Sequence, residues 1–333
     1  MTLGIVKTWV PSANEWDDAW RNCPYSTYFH SREWAEIWAD YSHGKISPDP
    51  LGVSLSDGAQ IILPFSKEKT LKGLAKRHIS SPAGTCGGWL SNVSLDEPQQ
   101  ALLMNLIAKR YLDLIWRFNP YEQVLHADEF GCLTEGETHA LDLSIGFEEI
   151  YRGSKKGNAS ATRKARKAGV EISIAETLKD WKNYFRVYED SLKRWGKNTT
   201  SSYSWPLFEA MFLRASPNVR LWLAKYEDIT IAGTLCFYSP SHVVAWHGGA
   251  LSSHFKFRPV NLLYHDVIRD AVERGFRWFD FNPSGSLEGV KTFKQSFGAT
   301  PLKSNLLAIK SVRRKCFDFI GTRAIGVLKK GLK

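Results

Sequence analysis

The sequence predicts an α+β protein built from two similar units, each a sheet with helices packed on it, and three observations carry that prediction. Its 333 residues are about twice the length of a common domain. Hydrophobic residues make up 43% and aromatic residues 13%, against 23% charged, enough apolar surface to offset ordering entropy without disulfide or metal staples. The same order of signals also occurs twice, a hairpin turn, a glycine pair and then an apolar helix. The turns Asp57-Gly58 and Glu227-Asp228 lie 170 residues apart, and the pairs Gly87-Gly88 and Gly248-Gly249 lie 161 apart.

In the first unit a short strand precedes two helices. Ser12 or Asn14 caps the first, which carries Trp16 and Trp20, and Ser31 caps the second, which carries Trp34, Ile37 and Trp38. Leu51–Leu55 and Gln60–Phe65 flank Asp57-Gly58, whose residues tolerate positive φ, so a β-hairpin is expected there. Lys67 to Arg77 reads as a basic connector, and Asp96 to about Phe118 as a helix with Leu102, Leu103, Leu106, Ile107 and Leu114 on its apolar side. Leu141 to Ser144 is a short strand leading out of the unit.

The second unit opens with Ser160–Val170, a basic helix stopped by Gly169. Strands follow at Leu221–Ala224, Ile229–Tyr238 and Val243–His247, then a helix over Leu262–Gly275 and a strand over Phe276–Phe281. The expected division is 1–145, 146–310 and a basic amphipathic tail over 311–333.

Charge is concentrated. Residues 151–170 hold seven basic groups and no acid, and residues 310–333 hold eight against Asp318, so these two stretches carry more than the whole net charge of +10. A polyanionic partner is therefore expected at local patches. One is the helix bearing Arg163, Lys164, Arg166 and Lys167. The other is the tail, where Phe317, Ile320, Ala324, Val327 and Leu328 share a helical stripe suited to an anionic membrane surface. Five widely spaced cysteines without a Cys-x-x-Cys, and no long apolar segment or signal-peptide pattern, predict a cytoplasmic protein, peripheral at the inner membrane face if the tail docks there.

Several chemistries have no support. The phosphate-loop and dinucleotide-loop motifs are missing, as are the His-Glu-x-x-His zinc pattern and the Gly-x-Ser-x-Gly elbow; no metal site is expected. What remains is direct transfer of a group between two bound substrates.

The stretch Arg274-Gly-Phe-Arg-Trp-Phe-Asp-Phe-Asn-Pro-Ser-Gly-Ser-Leu-Glu-Gly-Val-Lys-Thr-Phe-Lys-Gln-Ser-Phe-Gly-Ala299 resembles the C-terminal signature of the FemAB-like branch of the GNAT superfamily. Ser160–Val170, Leu221–Thr234 and Tyr28–Trp34 are similar to further segments of that family. The resemblance implies two tandem GNAT-like domains, each a mixed, mostly antiparallel sheet flanked by helices. It also implies transfer of an amino acid from aminoacyl-tRNA to an amino group of a peptidoglycan-type, nucleotide- or lipid-linked envelope precursor, with no resident cofactor.

Lys294 matches the family's active-site lysine, with Phe293 beside it. An ammonium there would stabilise the oxyanion formed when an amine attacks an ester, or hold the terminal phosphates of tRNA. Asp280, Glu288 and His247 are the open candidates for proton acceptor, and Arg194, Tyr184 and Arg258 for acceptor contacts in the cleft between the units. Two departures stand out. The loop Phe255-Lys-Phe-Arg-Pro-Val-Asn261 has no glycine where CoA-dependent GNAT enzymes cradle a pyrophosphate, and Trp38 stands near the place where peptidoglycan-directed members carry a lysine. The alternatives are an acyl-CoA-dependent N-acyltransferase of polysaccharide or lipopolysaccharide biosynthesis, and a non-enzymatic membrane- or RNA-binding relative.

Overall fold

The structure is a computed structural model that describes residues 2–70, 73–196, 202–285 and 287–310; the expected basic tail lies outside the described residues. In chain order the elements are β1 (Ile5–Trp9), α1 (Ala13–Asn22), α2 (Arg32–Tyr41), β2 (Ile46–Pro48), β3 (Leu51–Leu55), β4 (Gln60–Leu63), β5 (Ser66–Thr70), β6 (Ala75–Ile79), α3 (Glu97–Arg110), β7 (Leu114–Arg117), β8 (Cys132–Thr134) and β9 (Glu137–Asp142). They continue with α4 (Phe147–Gly153), α5 (Lys156–Lys167), β10 (Glu171–Ile174), α6 (Leu178–Trp195), α7 (Trp205–Leu213), β11 (Val219–Tyr226), β12 (Ile229–Tyr238), β13 (His242–Ala250), α8 (Pro259–Glu273), β14 (Trp278–Asp280), α9 (Glu288–Ser296), β15 (Thr300–Lys303) and β16 (Leu306–Ile309).

Local chemistry explains the helix starts. Ser12 accepts from the Glu15 amide while Glu15 returns a bond to the Ser12 amide, a reciprocal cap on α1. Ser31 caps α2 in the simpler way. Two expectations need correction. Residues 67–70 and 75–77 are not a connector but strands of the β5–β6 hairpin, whose mostly polar side chains suit a strand pair with little apolar cover. The helix expected to reach Phe118 ends at Arg110, and Leu114 and Trp116 then alternate with Ile115 and Arg117 as β7, because period two replaces period 3.6.

The second sheet runs β10-β11-β12-β13-β14-β9-β15, antiparallel except for the parallel pair β13–β14. The first unit has a sheet β2-β5-β6-β7-β16-β8, antiparallel except for β6–β7, and a smaller sheet β1-β3-β4. Helix, hairpin and parallel-pair order therefore recur, as the α+β, mixed-sheet expectation has it. The strands do not divide at residue 145. β9, before that point, lies in the second sheet beside β14, and β16, near the end, returns to the first sheet beside β7.

Packing binds the units further. One face of the second sheet is covered by α8, with α5 and α4, around Ile231, Leu263, Val267 and Phe279. The other face shares a core with the first unit, where Phe237 stacks on Tyr28 at 4.6 Å and meets Trp34 at 5.2 Å. Such a continuous aromatic core fixes the geometry of the groove between the units.

Candidate active site

β13 and β14 are paired only over His242–Val244 and Trp278–Asp280; beyond that β14 stops and β13 runs on to Ala250. The parted ends open a cleft of about 570 Å³ lined by Ala245–Ala250 of β13 and Phe281–Gly285 after β14, with Ala83, Gly84, Thr85 and Arg117 of the first unit on its far side. A crevice at the carboxyl ends of parted parallel strands is where open α/β sheets bind ligands.

A bulge shapes the wall. Leu235 pairs with His247 and Cys236 with Ala245, so Trp246 is the extra residue. Its carbonyl accepts from Asn282 Nδ2 at 3.3 Å, and its ring stacks on Tyr203 at 5.0 Å.

Lys294, on α9, is 5% exposed and lines the cleft, its ammonium bonded to the Asn282 carbonyl. Burial pushes its pKa down to about 8, against the attraction of Asp280. Phe293 beside it lines the same cleft and packs edge-on to Tyr264 at 5.6 Å.

Asp280 does not line the cleft. It is buried at the end of β14, where it accepts from Tyr121 Oη at 2.9 Å, Thr138 Oγ1 at 2.5 Å and the Asn282 amide at 2.7 Å. Burial raises its pKa, and these bonds act against that rise. The bond to the Asn282 amide is a two-residue side-chain turn that supports Asn282 at φ 61°, a left-handed conformation asparagine tolerates, and so aims the Asn282 carbonyl at Lys294. Asp280 thus supports the Asn282 turn, with three donors on its carboxylate.

The other proton-acceptor candidates also change standing. His247 lines the cleft, but burial pushes its pKa down to about 3 and its Nδ1 is 2.7 Å from Tyr184 Oη, so it is a neutral, tethered imidazole. Glu288 is exposed at the start of α9 and lies outside the cleft wall. Among the described residues no carboxylate lines the cleft, whereas Lys294, Arg194 and Arg117 do.

Arg194 faces the cleft as expected, fixed by bonds to the Ala250 carbonyl and Asp190 at 3.2 Å each and lying 4.8 Å over the Phe255 ring. Tyr184 does not reach the cleft. It is fully buried under β12, so close that a Cβ on Gly233 would stand 2.5 Å from its ring. Arg258 is exposed and also outside the wall. On α5, Arg163, Lys164, Arg166 and Lys167 are all exposed and away from the cleft; Arg166 is engaged by Asp266 at 2.9 Å, which leaves three cations for a polyanion. The residues that sequence reasoning missed are Arg117, Asn282, Trp246 and Tyr264.

The entry to α8 is a poor anion cradle. Its first residue, Pro259, has no amide hydrogen, and the Asn261 amide is taken by the Arg258 carbonyl. Of the first three helical residues, one therefore has no N–H and another has its N–H engaged.

Residues 154–295 match the family described as an acetyltransferase (GNAT) domain. The chain superposes on the crystal structure of FemX with a TM-score of 0.73, covering 95% of this chain and 100% of that one at 13% identity.

The fold is that of FemX, with residues 154–295 matching a GNAT domain.

Two further similar structures are L-PGS from Bacillus licheniformis and the C-terminal domain of a protein named as a lysylphosphatidylglycerol synthetase from Agrobacterium fabrum. Their TM-scores are 0.54 and 0.53 and their identities 13% and 10%; the matches cover 88% and 78% of this chain, and 96% and 85% of theirs. No curated protein matches. Most of the cleft wall, from Arg194 to Lys294, lies within the matched segment 154–295, while Ala83, Gly84, Thr85 and Arg117 lie outside it. Among the described residues no helix is long and apolar enough to cross a membrane, and no cluster of metal-ligating side chains occurs.

Proposed function

We propose that the protein transfers an aminoacyl group from aminoacyl-tRNA to an amino group of a cell-envelope precursor, peptidoglycan-type and linked to a nucleotide or lipid. The observation that carries this reading is Lys294, a buried cation in a cleft that holds two more cations and, among the described residues, no acid. The amine nitrogen attacks the ester carbonyl carbon and forms the C–N bond; the C–O bond to the tRNA ribose breaks, and the proton leaving nitrogen ends on that ribose hydroxyl. Lys294, protonated below its pKa of about 8, meets the transient oxyanion. Arg163, Lys164 and Lys167 of α5 serve the phosphates of the donor.

The poor cradle at α8 supports aminoacyl-tRNA over acyl-CoA. The kinship in fold with a protein named for lysylphosphatidylglycerol supports an anionic envelope acceptor.

A transfer assay tests this, with labelled aminoacyl-tRNAs supplied to nucleotide-linked and lipid-linked precursor fractions, and acetyl-CoA in a parallel arm. Expected is tRNA-dependent labelling lost in Lys294→Ala. Transfer from acetyl-CoA alone, or full turnover in the variant, would refute the reading.

A further inference from the structure

The cleft does not end at the first unit. A second cavity of about 280 Å³ lies beyond it, and the two share Ala83, Gly84, Thr85 and Arg117 as a common wall. The second cavity opens where the parallel pair β6–β7 ends, as the first opens where β13–β14 ends. Arg117 is the last residue of β7, as Asp280 is the last of β14.

Arg117 is half-buried and faces both spaces. Its Nε donates to the Gly84 carbonyl at 2.8 Å and its Nη1 to the Ser304 carbonyl at 3.2 Å. Among the described residues Nη2 has no acceptor and no carboxylate pairs with the guanidinium. Its neighbours differ. Arg77, in the second cavity, is matched by Glu68 at 2.7 Å, and Arg194, in the first, by Asp190. A partly desolvated guanidinium without a counter-charge costs stability, and burial pulls its pKa down. The two carbonyl bonds hold its plane fixed, which leaves the Nη end oriented for a two-oxygen anion.

Resting on the transfer reading above, we infer that Arg117 is the specificity-determining residue for the acceptor: it receives a carboxylate or phosphate of a substrate that crosses from the cleft over the 83–85 turn into the second cavity. The anion is held in the first unit while the amine reacts at Lys294 in the second. An acceptor carrying an amine but no acidic group would bind weakly.

The test is calorimetry on the full chain with two probes, inorganic pyrophosphate and N-acetyl-alanyl-alanine with its single carboxylate, using wild type, Arg117→Met and Arg117→Lys. Expected is that at least one probe binds wild type and loses about tenfold or more in Arg117→Met, with partial recovery in Arg117→Lys, which keeps charge but not the fork. The probe that loses affinity names the group as phosphate or carboxylate. In the transfer assay the acceptor KM rises by a similar factor while kcat changes little. Should Arg117→Met fail to fold, Arg117→Lys carries the test, and wild-type-like affinity in it overturns the inference. A role confined to bonding the two carbonyls predicts lower thermal stability with unchanged probe affinity, and that result, or no binding of either probe by wild type, also overturns it. Arg117-dependent binding in a protein that transfers nothing would sink the transfer reading instead.

Discussion

Replacing Lys294 with methionine should abolish transfer and stabilise the fold. The lysine pKa falls from 10.5 to about 8 because the ammonium is buried, and at about 1.4 kcal/mol per unit the charge costs the folded state roughly 3 kcal/mol. The sign follows from proton counts. Below pH 8 both folded and unfolded chains carry the proton and the full cost is present; between pH 8 and about 10.4 the unfolded chain still holds a proton that the folded one has lost, so stability rises with pH. Methionine has similar length and no charge to bury. Urea unfolding followed by circular dichroism from pH 6.5 to 10 should therefore show Lys294→Met more stable than wild type near neutrality, by up to ~3 kcal/mol, with the gap closing toward pH 10. Transfer should drop by about two orders of magnitude or more, the scale for losing a group that stabilises an oxyanion. A variant less stable than wild type at every pH, or a gap indifferent to pH, would show that Lys294 is not a strained buried cation.

Other changes probe its surroundings. If Lys294 works as a cation, initial rates at saturating substrate should decline above about pH 8; a rise to a plateau there would make it a base instead. Asp280→Asn removes the attraction that keeps the Lys294 pKa from falling further, so the declining limb should move to lower pH, whereas a purely structural Asp280 would leave the limb in place. Tyr121→Phe deletes a hydrogen bond between the units and leaves Asp280 one donor short, a loss of ~1–3 kcal/mol readable by urea unfolding. Gly233→Ala puts a methyl 2.5 Å from the Tyr184 ring and 2.9 Å from the Trp222 carbonyl, which should cost ~1–3 kcal/mol and slow transfer through displacement of His247.

The parts of the fold legible in the sequence are those with strong local grammar. Ser12 and Ser31 announced their helices because a capping hydroxyl before a tryptophan-bearing period has few other readings. Asp57-Gly58 sits in its hairpin turn, with Gly58 at φ 96°. The β5–β6 hairpin escaped notice because its side chains are mostly polar, so the alternation that marks a strand is missing. Helices α6 and α7 were passed over although α6 has a reciprocal Thr177–Asp180 cap, a signal within reach of the same rule. At the site, Asp280-Phe-Asn282-Pro carries the mark of a side-chain turn, but its consequence, a carbonyl aimed at a lysine twelve residues later, depends on where α9 lies.

Arg117 has no local mark at all. One arginine among 44 basic residues acquires meaning only because β7 ends at the rim of two cavities and because the acids that neutralise its neighbours do not reach it. The same reasoning separates the cations of this protein by what surrounds them rather than by count. Arg166 and Arg77 are cancelled by Asp266 and Glu68, Lys294 is held near the edge of deprotonation by burial, and Arg117 keeps both its charge and its unfilled donors. An acceptor that satisfies the last two together must place an acidic group on one side of the 83–85 turn and its reacting amine on the other. That span, more than the sum of positive charge, limits what the cleft accepts.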